Sequence, residues 1–347
     1  MARCCSCVTS SKGESSDRED GTETQGVRAG QPEPPQYVVA NARKLKLREL
    51  IAATDNFNQE HFLGEGKLGR VYKGILEDGQ KIAVKKLTEN TQQGRAEFRA
   101  EIQMLSGLEH SNIVKLIGYH DKGDVLFIVY EFMPSQSLDH HLYEHEISKK
   151  PLDWNTRMKI AEGVAKALKY LHDQKDPPII YGDLKPSNIL LDEKFNPKLS
   201  NFSTAKPGPA WNCRGASGKV MGTLGYGPPE HVMTGMLTRE CDIYRFGVVF
   251  LELITGRKAI QKNLASRERS IVLWARPFLD TKNFSQIADP VLGGCYPGDG
   301  LAEALTVAEM CIQEDATKRP HIAKIVTLLS DILSEAEGEE AWDKKEA

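Results

Sequence analysis

The stretch "IIYGDLKPSNILLDEKFNPKLSNFSTAK", residues 179–206, decides the fold. Short apolar runs alternate in it with single polar groups of different chemistry. Asp183 is a carboxylate that can take a proton. Lys185 is a cation, and Asn188 an amide. Acid, cation and amide stand in that order within six residues and read together as a site for moving phosphate. Thirteen residues later stands Asn201, in "NFS", where Asp-Phe-Gly would be expected.

Upstream, "FLGEGKLGRV" carries Gly64, Gly66, Gly69 and Val71 in a G-x-G-x-x-G-x-V spacing, with Leu63, Glu65, Lys67, Leu68 and Arg70 between them. The pattern lies between two strand-like runs. That disfavours a dinucleotide fingerprint, which joins a strand to a helix, and fits a flap over nucleotide phosphates. Glycine suits the place because backbone N–H groups must approach phosphate oxygens with no Cβ in the way. Lys67, at the tip, reads as a solvated cation. "KIAVKKL" then sets Lys85 beside Ala83 among Ile82, Val84 and Leu87. A lysine in an apolar strand needs a partner, and Glu101 on the following helical run is the natural one.

The wider chain fits a two-part α+β architecture. Of 347 residues, 40% are hydrophobic and 27% charged, as in an ordinary globular protein. The net charge of −3 argues against bulk nucleic-acid binding. No apolar run reaches the roughly 18 residues of a membrane span. Residues 1–45, rich in Ser, Gly, Glu and Pro, read as a disordered tail, residues 46–332 as globular, and 333–347 as an acidic frayed tail. The first hundred globular residues are strand-rich, with Asp78-Gly79 as a hairpin turn and a helix over 94–108. After "EFMPSQS" the texture becomes helical: "DWNTRMKIAEGVAKALKYLHD" predicts an amphipathic helix with Asp153 as N-cap. Further helices are expected over 242–255, 301–313 and 322–333.

Three of seven cysteines, Cys4, Cys5 and Cys7, crowd the start, and no apolar signal segment follows them. The expectation is a reducing compartment, with acylation as the use of those thiols. His140, His141 and His145 lack a completing acidic or thiol ligand and read as surface histidines.

With these motifs in order over residues 60–332, the chain resembles the eukaryotic protein kinases. The resemblance implies a bilobal fold. It makes Asp183 the base that accepts the substrate hydroxyl proton, Lys185 the γ-phosphate cation and Asn188 a Mg²⁺ ligand. Tyr130 becomes the gatekeeper, and Glu131 to Met133 the adenine hinge. Glu230 and Arg319 would form a buried ion pair, Asp242 would brace the catalytic loop, and Thr223 would contact Asp183 to seat substrate. The segments "RELIAATDNFNQEHFLGEGKLGRVYKG", "VYEFMPSQSLDHHLY" and "VMGTLGYGPPE" resemble plant receptor-like cytoplasmic kinases. That family comprises serine/threonine kinases at the inner face of the plasma membrane, beside developmental and immune receptors.

The chain departs from this family at four places. Ala2 replaces the myristoylated glycine, which leaves anchoring to the cysteines. Gly182 replaces the usual arginine, and Ser217-Gly218 stands where the family has Ser-Thr, so both halves of a phosphate switch are weakened. Asn201 replaces the Mg²⁺-chelating aspartate, and Ser203 replaces the glycine that lets this segment flip. The expectation is a pseudokinase that retains ATP and holds Mg²⁺ weakly or not at all. It would act as scaffold or decoy beside receptor kinases in plant immune signalling, in the cytoplasm or at the plasma membrane. The alternative is an active or slow serine/threonine kinase in which Asn188 and Asn201 form a weak metal seat.

Overall fold

Every second residue of the strand Lys81–Leu87 turns inward at its start, burying Ile82 and Val84 and leaving Lys81 exposed, which is the period-2 signature of a half-buried strand. The computed structural model describes residues 42–66, 69–87, 91–123, 125–144, 151–208, 216–217 and 223–346. In the first lobe, β1 (Arg43–Lys44) is followed by α1 (Leu47–Ala53), β2 (Phe62–Gly66), β3 (Gly69–Ile75), β4 (Lys81–Leu87), α2 (Gln92–Leu105), β5 (Leu116–His120) and β6 (Phe127–Glu131). The strands form one sheet in the order β1-β5-β6-β4-β3-β2. The β3–β4 hairpin closes at Asp78-Gly79, where Gly79 adopts φ +82° and its N–H donates to the Leu76 carbonyl at 2.9 Å.

The second lobe begins with α3 (Leu138–Tyr143) and α4 (Trp154–Asp173). Asp153 caps α4 by accepting from Thr156 N. Met158, Ala161, Val164, Ala165, Leu168 and Leu171 recur at helical spacing along its buried face. Short strands follow: β7 (Ile179–Ile180), β8 (Ile189–Leu191), β9 (Pro197–Leu199), β10 (Lys206–Pro207) and β11 (Ala216–Ser217). Then come α5 (Pro229–Thr234), β12 (Met236–Leu237), α6 (Arg239–Thr255), α7 (Ser266–Arg269), α8 (Ile271–Thr281), α9 (Gly298–Cys311) and α10 (Ile322–Glu346). Helix α6 is buried on every side from Cys241 to Thr255, which is why "FGVVFLELI" is apolar without periodicity. Helices α4, α9 and α10 and the catalytic segment share one core with it.

Elements lie on both sides of the expected boundaries at residues 46 and 332. Strand β1 pairs in parallel with β5, and Leu45 is buried. A two-residue strand of Arg and Lys carries no apolar alternation, so only its backbone pairing reveals it. At the other end, α10 runs from Ile322 to Glu346. Glu, Ala and Lys are strong helix formers, and a helix already nucleated by packing extends through them without a new nucleation cost. Helix α6 starts at Arg239, three residues before the expected Asp242.

Candidate active site

The catalytic segment hangs from one buried carboxylate. Asp242, at the start of α6, accepts from the backbone N–H groups of Tyr181 and Gly182, each at 2.8 Å, and lies 3.0 Å from His172 Nε2. These bonds fix the turn that presents Asp183. Asp183 Oδ1 accepts from Thr223 Oγ1 at 3.0 Å, and Oδ2 accepts from Lys185 Nζ and Asn188 Nδ2, both at 3.0 Å. Lys185 Nζ also donates to Thr223 Oγ1 at 2.9 Å. The base, the cation and the substrate-seating hydroxyl expected from the sequence are therefore in mutual contact.

Across the lobe boundary, Lys85 Nζ meets Glu101 Oε2 at 3.0 Å, with the carboxylate almost fully buried. The Tyr130 hydroxyl donates to the other oxygen, Glu101 Oε1, at 2.8 Å. Burial, then the Glu101 charge, holds the Tyr130 phenol well above its ordinary range, so it remains a donor. Strand register sets Val71 opposite Lys85 and Ala83 opposite Tyr130. A Cβ on Gly64 or Gly66 would meet no atom of the described residues within 4 Å. Gly69 has another reason to be glycine: a Cβ there would run into the Lys86 carbonyl of β4. Arg70 pairs with Glu65 across the hairpin at 3.3 Å, and Leu63 is half exposed. Met133 is buried. The Glu131 carboxylate accepts from Lys115 N at 2.7 Å and Lys198 Nζ at 2.9 Å, a pairing no sequence pattern announced. Lys67, Leu68, Gly218, His145 and the cysteines Cys4, Cys5 and Cys7 lie outside the described residues.

Asn201 takes the left-handed conformation, φ 56° and ψ 69°, which asparagine tolerates better than most residues. Phe202 is fully buried, edge-on to Tyr181 at 5.1 Å, and its turn, Phe202–Thr204, packs against α2. Ser203 Oγ donates to Asn201 Oδ1 at 3.0 Å, and Asn201 Nδ2 points to Asn188 Oδ1 at 3.4 Å. The amide oxygens at this place are thus both engaged by protein donors. Among the described residues no cluster of three His, Cys, Asp or Glu side chains could hold a metal.

Gly182 sits at φ +82°, and a Cβ there would lie 2.9 Å from Leu237 Cδ2. Leu237, Ile180 and Cys241 form a small apolar cluster at that point. Strand β12, which contains Leu237, pairs with β11. Below it, Arg319 holds Glu230 through two bonds, 2.5 and 2.9 Å, and also donates to the carbonyls of Gln313, Glu240 and Glu314. Partial burial opposes ionisation of Glu230, but the Arg319 bonds and charge hold its carboxyl below the usual range.

Sequence reasoning missed Glu252. Its Oε1 accepts from Tyr143 OH at 2.6 Å, Tyr226 OH at 2.9 Å and Ala259 N at 2.7 Å, while Oε2 is buried with no partner. Burial pushes this carboxyl up to about 7. An acid inside the all-apolar run "VVFLELI" was the available signal.

The protein kinase domain family matches residues 57–328. The chain is 54% identical to serine/threonine-protein kinase PBS1 of Arabidopsis thaliana over 85% of its own length and 65% of that protein. It is 54% identical to serine/threonine-protein kinase PBL27 of the same plant over 85% of its length and 58% of that protein. With the probable serine/threonine-protein kinase PBL7 of Arabidopsis thaliana it shares 53% identity over 85% of its length and 78% of that protein. The chain thus spans less than two thirds of PBS1 and PBL27. Protein kinases in general use ATP and Mg²⁺. By its family match and its identity to these proteins, the chain belongs to the protein kinases, in the receptor-like cytoplasmic kinase family of serine/threonine kinases.

Proposed function

We propose that this chain is a catalytically impaired kinase-fold signalling protein that holds a nucleotide and transfers phosphate slowly or not at all. The observation that carries this reading is the pair Asn201 and Asn188: two neutral amides, hydrogen-bonded to Ser203 and to each other, where a Mg²⁺ ion needs charged oxygen ligands. The residues do not fit a tightly held divalent cation. Loss of about 3–5 kcal/mol of metal-derived stabilisation lowers a phosphoryl-transfer rate on the order of 10²–10⁴-fold. Nucleotide retention is supported by the Lys85–Glu101 pair, which is made at 3.0 Å. Leu63, Val71, Ala83, Tyr130 and Met133 would hold the base, and the Gly-rich loop and Lys85 the phosphates.

A second reading, a slow serine/threonine kinase, is favoured by one observation. Asp183, Lys185 and Thr223 form a complete hydrogen-bonded set. Autophosphorylation with Mg²⁺ and with Mn²⁺ separates the readings. Turnover at ordinary kinase rates that disappears in Asp183→Ala would refute impairment.

The partners that suit an impaired member of this family are receptor kinases or other signalling proteins in plant immunity, for which it would be scaffold or decoy. Acylation of Cys4, Cys5 and Cys7 would hold it at the cytoplasmic face of the plasma membrane. Fatty-acid labelling of the chain, absent once the three cysteines are changed to serine, tests that placement.

A further inference from the structure

A metal ion and a phosphate ask opposite things of an amide. The metal binds the oxygen, whereas the phosphate binds an N–H donor. In this chain Ser203 Oγ donates to Asn201 Oδ1, which caps the oxygen and sets which way the amide faces. Asn201 Nδ2 then points to Asn188 Oδ1 at a long 3.4 Å, and its second N–H has no partner among the described residues. Asn188 is turned the other way, with Nδ2 held by the Asp183 carbonyl at 2.7 Å and the Asp183 carboxylate at 3.0 Å and its oxygen facing Asn201. At position 201, where a kinase presents a carboxylate oxygen to a metal, this chain presents a donor.

The charges around the site support the same conclusion. Lys85 and Lys185 are balanced by Glu101 and Asp183, so the described site is formally neutral without a metal. The terminal phosphate of ATP is the one transferred to the substrate hydroxyl whose proton the catalytic aspartate accepts, so it would lie nearest Asp183. Lys185 is already paired with Asp183 and Lys85 with Glu101, so without a metal that extra negative charge meets only cations shared with carboxylates, and the Asp183 carboxylate repels it. A diphosphate avoids the repulsion and keeps the donors.

We propose that Asn201, oriented by Ser203, binds a nucleotide phosphate directly, and that the site takes a metal-free nucleoside diphosphate in preference to ATP. The proposal rests on the reading that the metal seat is degenerate, yet it concerns binding and stands or falls separately from turnover.

Calorimetric titration of the full chain with ADP and with ATP, each in EDTA and in Mg²⁺, tests it. The unaltered chain should bind ADP in EDTA, more tightly than ATP, and Mg²⁺ should change the ADP affinity less than about 3-fold. Asn201→Asp removes the donor and adds a charge. It should weaken ADP binding in EDTA by about tenfold or more, and make binding depend on Mg²⁺. Ser203→Ala should weaken metal-free ADP binding by about 3–10-fold, with the melting temperature reporting whether each variant is folded. The proposal is overturned if Mg²⁺ tightens ADP on the unaltered chain tenfold, if both variants bind metal-free ADP as before, or if no nucleotide binds. None of these outcomes rescues turnover, so the reading of impaired catalysis fails only on a measured rate.

Discussion

The Tyr226 hydroxyl donates to Glu252 Oε1 at 2.9 Å, which ties the segment just after Thr223 to the far end of helix α6. Tyr143 of α3 and the Ala259 N–H bind the same oxygen. Asp139 adds a negative charge nearby, and Lys258 lies over the Tyr143 ring at 4.8 Å. An ordinary glutamate ionises near 4.5, whereas burial raises Glu252 to about 7. Between those values the folded chain keeps a proton that the unfolded chain has released. This contribution to stability is complete below about 4.5 and is lost as pH rises through 7, a change of about 3 kcal/mol. Denaturant unfolding from pH 5 to 8 should show the decline in the unaltered chain and a flatter profile in Glu252→Gln. Parallel profiles would remove Glu252 as the cause.

The Arg319–Glu230 pair should carry much of the second lobe's integrity. Arg319 makes two bonds to Glu230 and three to carbonyls, and its side chain is fully buried. Arg319→Ala leaves Glu230 and those carbonyls without their donor and should cost about 3–5 kcal/mol in chemical denaturation. The exposed pair of Arg276 with Glu314, at 3.4 Å, is the control. Arg276→Ala should cost less than about 1 kcal/mol. Equal losses in the two variants would contradict this ranking.

Restoring the family's arginine at position 182 should not restore a phosphate switch. Gly182 is at φ +82°, and Leu237 stands 2.9 Å from where a Cβ would be. A left-handed conformation costs a non-glycine residue roughly 1–2 kcal/mol, and overpacking adds about 1–3. Gly182→Arg should therefore melt several degrees lower. A variant that melts with the unaltered chain and gains phosphate-dependent order would show that the apolar cluster at Leu237 yields easily.

Lys85→Met separates binding from folding. It leaves the buried Glu101 Oε2 without its cation, while Tyr130 still holds Oε1. The variant should lose the nucleotide-induced thermal shift and about 3 kcal/mol of stability. Adding Glu101→Gln should recover part of the stability and none of the shift. Recovery of nucleotide binding in the double variant would mean that Lys85 does not touch the phosphates.

Much of this was legible in the sequence because the relevant residues have chemistry that apolar surroundings cannot hide. A lysine within "IAVKKL" demanded Glu101, and "YGDLKPSN" demanded a phosphate-handling loop, and both pairings are found at 3.0 Å. The missed features depend on three-dimensional proximity. Glu131 with Lys198, Tyr226 with Glu252 and Gly182 against Leu237 join residues 26 to 67 apart in the chain, and no local period relates them. The strand β1 was invisible because its pairing uses only backbone. Ser203 was read as a stiffened glycine, and its hydroxyl's bond to Asn201 emerged only from the side-chain geometry.

The central claim is that the defect in this kinase fold lies at Asn201 and Ser203. The most direct measurement compares phosphate incorporation from labelled ATP with Mg²⁺ by the unaltered chain and by the Asn201→Asp/Ser203→Gly double variant. The account predicts negligible incorporation by the unaltered chain and a rise of about 10²-fold or more in the double variant, abolished by adding Asp183→Ala. Robust incorporation by the unaltered chain, or silence in a folded double variant, would contradict it.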